Sequence, residues 1–240
     1  MKPAPARRML PPDRGSAFAA AQALGLPLSD EQADRLVSYL ALLQRWNVTY
    51  NLSAVREPQA MWLQHILDCM AAVPSIRRHF RARWQGDPAA ASSAPRHRPR
   101  ILDVGSGAGL PGIVWAVLMP EVDLSCVDAV GKKVAFVRQA AGQIGLPNLR
   151  AEHARVEALA GRFDLITSRA FASLADFTRL TQPLLADGGC WVAMKGKPPL
   201  EEIAALGWPA SMFHVEPLMV PGLDAERCLV WIEPPPSGLD

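Results

Sequence analysis

The chain has 240 residues, half of them hydrophobic, and a net charge of +2. This length suits one large domain or a domain with an appendage, and no apolar run is long enough to cross a membrane. A net charge so close to neutral excludes binding of nucleic acid through overall basicity. Any such binding would depend on local clusters of basic residues.

The four cysteines, at positions 69, 126, 190 and 228, are far apart. Their spacing matches no metal-ligand pattern, so we expect no metal, and they are typical of small core residues in a reducing compartment. Arg7 and Arg8 are followed by no continuous apolar segment, so we expect no export signal. These features predict a cytoplasmic protein.

The N-terminal part is predicted to be helical. Residues 1–14 are rich in Pro, Arg and Ala, which predicts a loose tail, and residues 17–24 predict a short helix. Ser29 and Gln32 then form a capping-box signature. Behind them, apolar residues recur at helical spacing, which predicts an amphipathic helix that ends at about residue 46.

A polar segment at 47–53 predicts a break, and Pro58 begins another predicted helix. On that helix His65 and Asp68 are three residues apart, so their side chains can touch. From spacing alone we interpret this pair as a surface ion pair or a local cap. Residues 85–99 have the composition of a linker.

From residue 100 onward, strand-like and helix-like segments alternate, which predicts a parallel sheet covered on both faces. The predicted strands lie at 101–104, 123–128, 149–153, 163–168 and 190–194. The predicted helices lie at 110–119, 131–144, 155–160 and 173–185. Extended segments at 212–220 and 228–232 lack a full crossover helix between them, which predicts an antiparallel hairpin on the sheet edge.

We therefore predict three parts. They are a tail and helical subdomain at 1–84, a flexible linker or insertion at 85–99, and a cofactor-binding domain at 100–240. The linker composition offers few residues that could be buried, so we expect it to contribute little to stability.

The most informative stretch is 100–112, where a short apolar run leads into glycines at 105, 107, 109 and 112. Glycines at a strand-to-helix turn permit positive φ and let a ligand lie almost against the backbone. This arrangement predicts a site for a nucleotide-type cofactor at the carboxyl end of a central strand.

The choice of cofactor depends on Asp103, because the G-x-G-x-x-G spacing that begins at Gly107 also fits dinucleotides. The Asp103 carboxylate can receive the cationic methionine end of S-adenosylmethionine, directly or through water, and would repel a pyrophosphate. Asp128 follows the next apolar run and can accept hydrogen bonds from two ribose hydroxyls. Asp128 fits either cofactor, whereas Asp103 favours S-adenosylmethionine.

Four motifs occur in one order: RWNVTYNL at 45–52, HILD at 65–68, DVGSGAGLPG at 103–112 and SRAFASL at 168–174. Together they resemble the bacterial small-subunit ribosomal RNA guanine-N7 methyltransferases, the glucose-inhibited division protein B family, over roughly residues 16–233. The resemblance implies a class I S-adenosylmethionine-dependent methyltransferase of the α/β class. This is a Rossmann-like fold whose mostly parallel sheet carries a C-terminal antiparallel hairpin, here with an N-terminal helical extension. The implied target is a guanine in the decoding region of 16S rRNA, in the small ribosomal subunit.

The resemblance also assigns site residues. Carried over position by position, the cofactor contacts fall on Gly105, Leu110, Val156, Glu157 and Arg169. The glycine turn and its flanking strands add Asp103, Gly107 and Asp128. Without the resemblance, Glu157 would fit a solvated carboxylate at a helix start, and Arg169 would fit a salt bridge at a strand end.

Guanine N7 has a free lone pair and no proton, so methyl transfer requires alignment and no base. We assign no acid or base, and the candidate liners of the base pocket are His65, Asp68, Arg169 and Lys195. N7 lies in the deep, narrow major groove of A-form RNA, so we expect a guanine in a loop or a flipped-out guanine as substrate. The candidate phosphate contacts are Lys132, Lys133, Arg138, Lys195 and Lys197.

Two other functions stay open at this point. The chain could be a methyltransferase that acts on a protein or a small molecule, or an RNA-binding assembly factor without catalytic activity. In each case we expect a monomer that contacts no membrane.

Overall fold

The computed structural model describes residues 11–85 and 98–235. The helices are α1 (Arg14–Ala23), α2 (Asp30–Tyr50), α3 (Pro58–Met61), α4 (Asp68–Gln85), α5 (Gly112–Leu118), α6 (Gly131–Gln143), α7 (Leu174–Thr181) and α8 (Leu200–Ala205). The strands are β1 (Arg100–Val104), β2 (Asp123–Asp128), β3 (Leu149–His153), β4 (Phe163–Arg169), β5 (Leu185–Lys195), β6 (Phe213–Pro217) and β7 (Cys228–Ile232). A π-helical segment, Trp62–Leu67, connects α3 to α4.

Within the described residues, seven strands form one sheet in the order β3-β2-β1-β4-β5-β7-β6. Strands β1 to β5 are parallel to one another, whereas β7 is antiparallel to both β5 and β6. The predicted α/β fold with an antiparallel edge hairpin is confirmed. The strand order reverses between β1 and β4, and ligands of such sheets bind at the carboxyl ends of the strands at this point.

Two apolar clusters cover the two faces of the sheet, because successive strand residues point to opposite sides. Ile101 belongs to the cluster formed with α1, α2, α4, α5 and α6, whereas Leu102 belongs to the cluster formed with α7. The N-terminal helices therefore share a core with the sheet. The predicted linker at 85–99 lies largely outside the described residues, so the predicted domain boundary stays a prediction.

Hydrogen bonds also join the N-terminal helices to α5. The Gln32 amide of α2 donates to the Val117 carbonyl at 2.9 Å, and the Trp115 indole N–H donates to the Cys69 carbonyl of α4 at 2.9 Å. Trp115 is fully buried. The helix that begins at the glycine turn is thus held from its outer side by α2 and α4.

The predicted start of the chain is partly corrected. Residues 1–10 of the predicted tail lie outside the described residues, but α1 already begins at Arg14 with Asp13 as its cap. The predicted capping box of Ser29 and Gln32 is confirmed. Helix α2 extends to Tyr50 and does not end near residue 46, because the buried Asn47 side chain hydrogen-bonds Ser53 and Val55 beyond the helix.

Several predicted bounds in the second half are also wrong. The segment predicted as a helix at 155–160 forms only a 3-10 turn, Val156–Ala158. The helix predicted at 173–185 ends at Thr181, and Pro183 lies in a following 3-10 turn because proline cannot donate to a continuing α-helix. Strand β5 is longer than predicted and begins at Leu185. None of the described helices is long and apolar enough to cross a membrane.

Trp115→Phe should lower the free energy of unfolding by about 1–3 kcal/mol, because it removes a buried hydrogen bond and leaves a cavity. Urea unfolding measures the change. Trp208→Phe is the matched control: Trp208 is only partly buried against its apolar cluster, so the loss should be smaller. An equal loss in both variants would show that the contact between α5 and α4 contributes nothing specific.

Candidate cofactor and substrate site

Backbone N–H groups of the glycine turn between β1 and α5 are bonded to the end of β2. The N–H groups of Gly105 and Ser106 both donate to the Val127 carbonyl at the end of β2, at 2.9 and 3.1 Å. The N–H of Gly107 donates to Asp128 Oδ2 at 3.0 Å. These bonds fix the turn against the neighbouring strand.

Gly105 is required for a specific steric reason. Its φ is +65°, and a Cβ at this position would overlap the ring of Phe171, which follows β4. The ring therefore lies directly over the backbone of Gly105. A side chain here would push the two segments apart, so this conformation and this contact together require glycine.

Asp103, on β1, is completely buried. Its Oδ2 accepts a 2.9 Å hydrogen bond from the N–H of Gly112, whereas its Oδ1 has no hydrogen-bond partner among the described residues. Burial raises the pKa of this carboxyl to about 7. A buried acceptor without a donor is what a cationic ammonium group would satisfy, so the residue fits the role predicted for it.

Asp128, at the end of β2, is nearly buried, and both of its oxygens already accept backbone hydrogen bonds. The Lys133 ammonium lies 3.6 Å from Oδ2. Because each carboxylate oxygen has two lone pairs, both can accept a further bond from a ribose hydroxyl. Contact with a ribose stays a prediction for Asp128.

The other predicted cofactor residues surround the same sheet edge. Leu110 is buried in the turn, and its N–H donates to the Ser106 carbonyl. Val156 is buried and Glu157 is exposed in the 3-10 turn after β3. With Asp103 and Asp128, these positions fit a cofactor that has a charged end and a ribose. Their individual roles stay predictions.

A cavity of about 460 Å³ opens at the carboxyl ends of β4 and β5. The residues that line it come from the π-helical segment, the first residue of α4, both strand ends and the hairpin. They include Gln64, His65, Asp68, Arg169, Lys195 and Arg227. The cavity thus collects the predicted pocket liners in one place, together with an arginine that was not predicted.

Asp68 is the charged centre of this cavity. Its side chain is 5% exposed and accepts hydrogen bonds from Arg169 Nη1 at 3.2 Å and from Arg227 Nε at 2.8 Å. The interpretation of His65 and Asp68 as a surface ion pair is wrong, because both side chains are buried and Asp68 binds arginines from distant elements. The π-helical segment precedes Asp68, and such segments are frequent at functional sites.

His65 is bound to Ser53, whose Oγ lies 2.6 Å from the imidazole Nε2. Burial, reinforced by the Arg169 charge, lowers the pKa of His65 to about 4. The imidazole is therefore neutral at pH 7. Ser53 lies in the polar segment after α2, and no pattern in the sequence selects it for the site.

Arg169 ends β4 and points its guanidinium towards the π-helical segment. Besides Asp68, its Nη1 donates to the Gln64 carbonyl at 3.0 Å. The next residue, Ala170, has a φ of +57°, a conformation that costs energy for any residue with a Cβ. The strand-end salt bridge considered from the sequence is present, and contact of Arg169 with a cofactor stays a prediction.

The predicted lysines and Arg138 divide into paired and exposed groups. Lys195 is bound through its ammonium to both carboxylate oxygens of Glu202 at 2.9 Å, and Lys133 faces Asp128. Arg138 donates to the Ala151 carbonyl. Lys132 and Lys197 are exposed. Across residues 11–85 and 98–235, no three His, Cys, Asp or Glu side chains are placed to hold a metal ion.

Arg227 was missed by the sequence reasoning. It immediately precedes β7, and only pairing of the hairpin with β5 brings it beside Asp68, 159 residues earlier in the chain. A basic residue at the end of a hairpin loop is a weak signal, since most such residues contact solvent alone.

Comparison with known proteins identifies the family. A family model described as rRNA small subunit methyltransferase G matches residues 32–85 and 87–230. The chain belongs to this family. A relative named ribosomal RNA small subunit methyltransferase G from Acidovorax sp. (strain JS42) is 58% identical over 89% of this chain and 92% of its own length. A relative with the same name from Leptothrix cholodnii is 55% identical over 93% of this chain and 96% of its own length.

Among solved structures, the chain is similar to the fibrillarin of Aeropyrum pernix in complex with S-adenosyl-L-methionine. The TM-score is 0.45, the identity is 13%, and the match covers 57% of this chain and 66% of that one. The family membership follows from the sequence comparisons alone.

Asp103→Asn should change how the stability of this family member depends on pH. In the unfolded chain the carboxyl titrates near its ordinary pKa of 3.8, whereas burial raises the pKa in the fold to about 7. As pH rises between these values, the unfolded state loses its proton first, so the free energy of unfolding of wild type falls until about pH 7. The asparagine cannot titrate, so the free energy of unfolding of the variant should rise relative to that of wild type by on the order of 1 kcal/mol per pH unit in this window. Urea unfolding at pH 4.5, 5.5 and 7.5 measures this, and parallel pH curves would contradict it.

Asp68→Ala should lower the free energy of unfolding by about 3 kcal/mol, because the Arg169 and Arg227 guanidinium groups lose their shared carboxylate. Asp176→Ala is the control, since Asp176 is 52% exposed and pairs with Arg179 on the surface. That change should cost much less, because ion pairs between exposed side chains contribute little to stability. Equal losses would contradict the account, because they would mean that water solvates the Arg169 and Arg227 charges equally well as the charge of Arg179 on the surface.

Proposed function

We propose that the chain is an S-adenosylmethionine-dependent methyltransferase that methylates N7 of a guanine in 16S rRNA of the small ribosomal subunit. The observation that carries this proposal is an arginine-lined cavity at the carboxyl ends of β4 and β5, the same sheet edge at which the glycine turn follows β1, in a chain that belongs to the rRNA small subunit methyltransferase G family. Substrate and cofactor would meet at this edge, as ligands of such sheets do.

The residues around the turn would hold the cofactor. The Oδ1 of Asp103 would accept from the ammonium group, Asp128 would accept from the ribose, and Gly105 lets the turn adopt its conformation beneath the Phe171 ring. When bound, S-adenosylmethionine supplies a methyl group made electrophilic by its positively charged sulfur. The chain then has to align that methyl group with the incoming base.

The reaction at N7 places a simple demand on the cavity. A carbon–nitrogen bond forms at N7 while the carbon–sulfur bond breaks, the guanine ring becomes cationic, and no proton has to leave. A neutral His65, with its pKa lowered to about 4, adds no positive charge beside such a product. The Asp68 carboxylate offsets the charges of Arg169 and Arg227, so the cavity can hold a base next to two arginines.

The RNA has to present its guanine outside a regular helix, because side chains cannot read the deep major groove of A-form RNA. Exposed Lys132 and Lys197 would contact phosphates around the cavity. We also propose that the protein acts as a monomer without a metal ion, in the cytoplasm where its ribosomal substrate is located. Gel filtration and metal analysis of the purified protein would check the first two points.

Gly105→Ala should abolish S-adenosylmethionine binding and methyl transfer, because the added methyl group would meet the Phe171 ring. Gly25→Ala is the matched control, since Gly25 has nearly the same φ, +63°, but nothing lies within 4 Å of its added Cβ. The control should lose about 1 kcal/mol of stability and keep its activity.

Transfer of tritium from labelled cofactor measures both variants. Isolated 30S subunits, naked 16S rRNA and total ribosomal protein serve as alternative acceptors. Label in the RNA of the first or second acceptor supports the proposal. Label only in protein would favour a protein methyltransferase, and no label with any acceptor would favour a silent RNA-binding factor. Normal transfer by Gly105→Ala would remove the glycine turn from the site.

A further inference from the structure

A tyrosine of the N-terminal helices is bonded to the glycine turn. Tyr39 lies in the middle of α2, is completely buried, and donates a 2.8 Å hydrogen bond from its hydroxyl to the carbonyl oxygen of Ala108. Ala108 is itself 4% exposed. The Asp103 and Asp128 side chains also hydrogen-bond the turn, and both residues belong to strands of the sheet. Tyr39 thus connects the turn to a different part of the chain.

The position of Tyr39 is fixed by the packing of α2 along α5. Seven residues before Tyr39, the Gln32 amide donates to the Val117 carbonyl near the end of α5. Seven residues correspond to about two helical turns, or roughly 10 Å. Helix α2 is therefore bonded to both ends of the segment from Ala108 to Val117, through Tyr39 and Gln32. The position of the phenol is thus coupled to that of the turn.

We infer that Tyr39 is a positioning residue for cofactor binding, whose hydroxyl holds the Ala108 carbonyl and keeps the glycine turn in its receptive conformation. The inference rests on the proposed function only in taking the turn as the cofactor site. Without the hydroxyl, the Ala108 carbonyl is left buried without this donor, or the turn shifts until water can reach it. A shifted turn cannot receive the cofactor, so the apparent affinity falls with the receptive fraction.

The chemistry of the phenol supports this role. Burial raises the pKa of the Tyr39 hydroxyl well above its ordinary value, so the group remains a neutral donor throughout the physiological range. Aromatic contacts hold the ring in place, with the Phe136 ring centroid at 6.3 Å. Phenylalanine would preserve that packing and remove only the donor.

The test compares Tyr39→Phe with Tyr50→Phe, which alters the only other tyrosine of the chain. Tyr50 ends α2, is 38% exposed and contacts Trp46, away from the turn. Calorimetry gives the Kd for S-adenosylmethionine, and methyl transfer to 30S subunits gives KM and kcat. Tyr39→Phe should raise the Kd and the KM for the cofactor roughly three- to tenfold. The kcat at saturating cofactor and the KM for the subunits should stay within twofold of wild type, and Tyr50→Phe should change none of these values.

A Tyr39→Phe protein that binds the cofactor within twofold of wild type would overturn the inference, even if its melting temperature falls. In that case wild-type binding would leave the proposed function intact. Absence of binding by wild type would instead refute the proposed function and the inference together.

If Tyr39→Phe does not fold, a second measurement decides. Tyr50→Phe protein grown with 3-fluorotyrosine carries fluorine only at Tyr39. Its fluorine resonance should shift when S-adenosylmethionine is added, because the hydroxyl is bonded to the turn that binds the cofactor. A resonance that stays unchanged while calorimetry records binding would overturn the inference.

Discussion

The glycine turn between β1 and α5 can exist only because its backbone N–H groups find acceptors at very short range. Val127 and Asp128 accept from its first half, and Asp103 accepts from Gly112 at its end. At Gly105 a side chain has no room, because the Phe171 ring lies against the backbone there. These hydrogen bonds hold the turn in one conformation before any ligand arrives, which reduces the conformational entropy that is lost on binding.

The N-terminal helices support the site through their contacts with α5 and with the strand ends. Helices α2 and α4 cover the outer side of α5, and the π-helical segment before α4 brings Asp68 to the strand ends. Arg169 from the sheet and Arg227 from the hairpin then meet on one carboxylate. Removing any of these three elements would leave a buried charge without its partner, so the cavity depends on all of them.

The fold class could be predicted because its signals are local. Apolar strand segments alternate with amphipathic helices, and the glycine turn marks the start of the parallel sheet, so a parallel sheet covered on both faces followed from general rules of chain connection. Bounds failed where side-chain hydrogen bonds, and not the apolar pattern, accompany the end of an element. The Asn47 side chain, for example, hydrogen-bonds Ser53 and Val55 beyond the predicted end of α2.

The site was predictable only in part, for a related reason. Asp103 and Asp128 could be selected because they lie at predicted strand ends. His65, Asp68 and Arg169 could be selected because they lie in motifs that resemble the family. The burial of Asp68 and its bond to Arg227 depend on residues 159 positions apart, which no spacing rule connects. The hydrogen bond from Tyr39 to the turn is equally invisible, since a tyrosine at helical spacing is indistinguishable from ordinary core.

The most direct test of the central claim is to identify the methylated atom. Purified protein, S-adenosylmethionine and 30S subunits that lack the modification are incubated together, and the nucleosides of the 16S rRNA are then analysed by mass spectrometry. A guanine N7-methyltransferase should produce one 7-methylguanosine per 16S rRNA. Methylation of a ribose hydroxyl, of another base atom or of ribosomal protein alone would contradict the assignment.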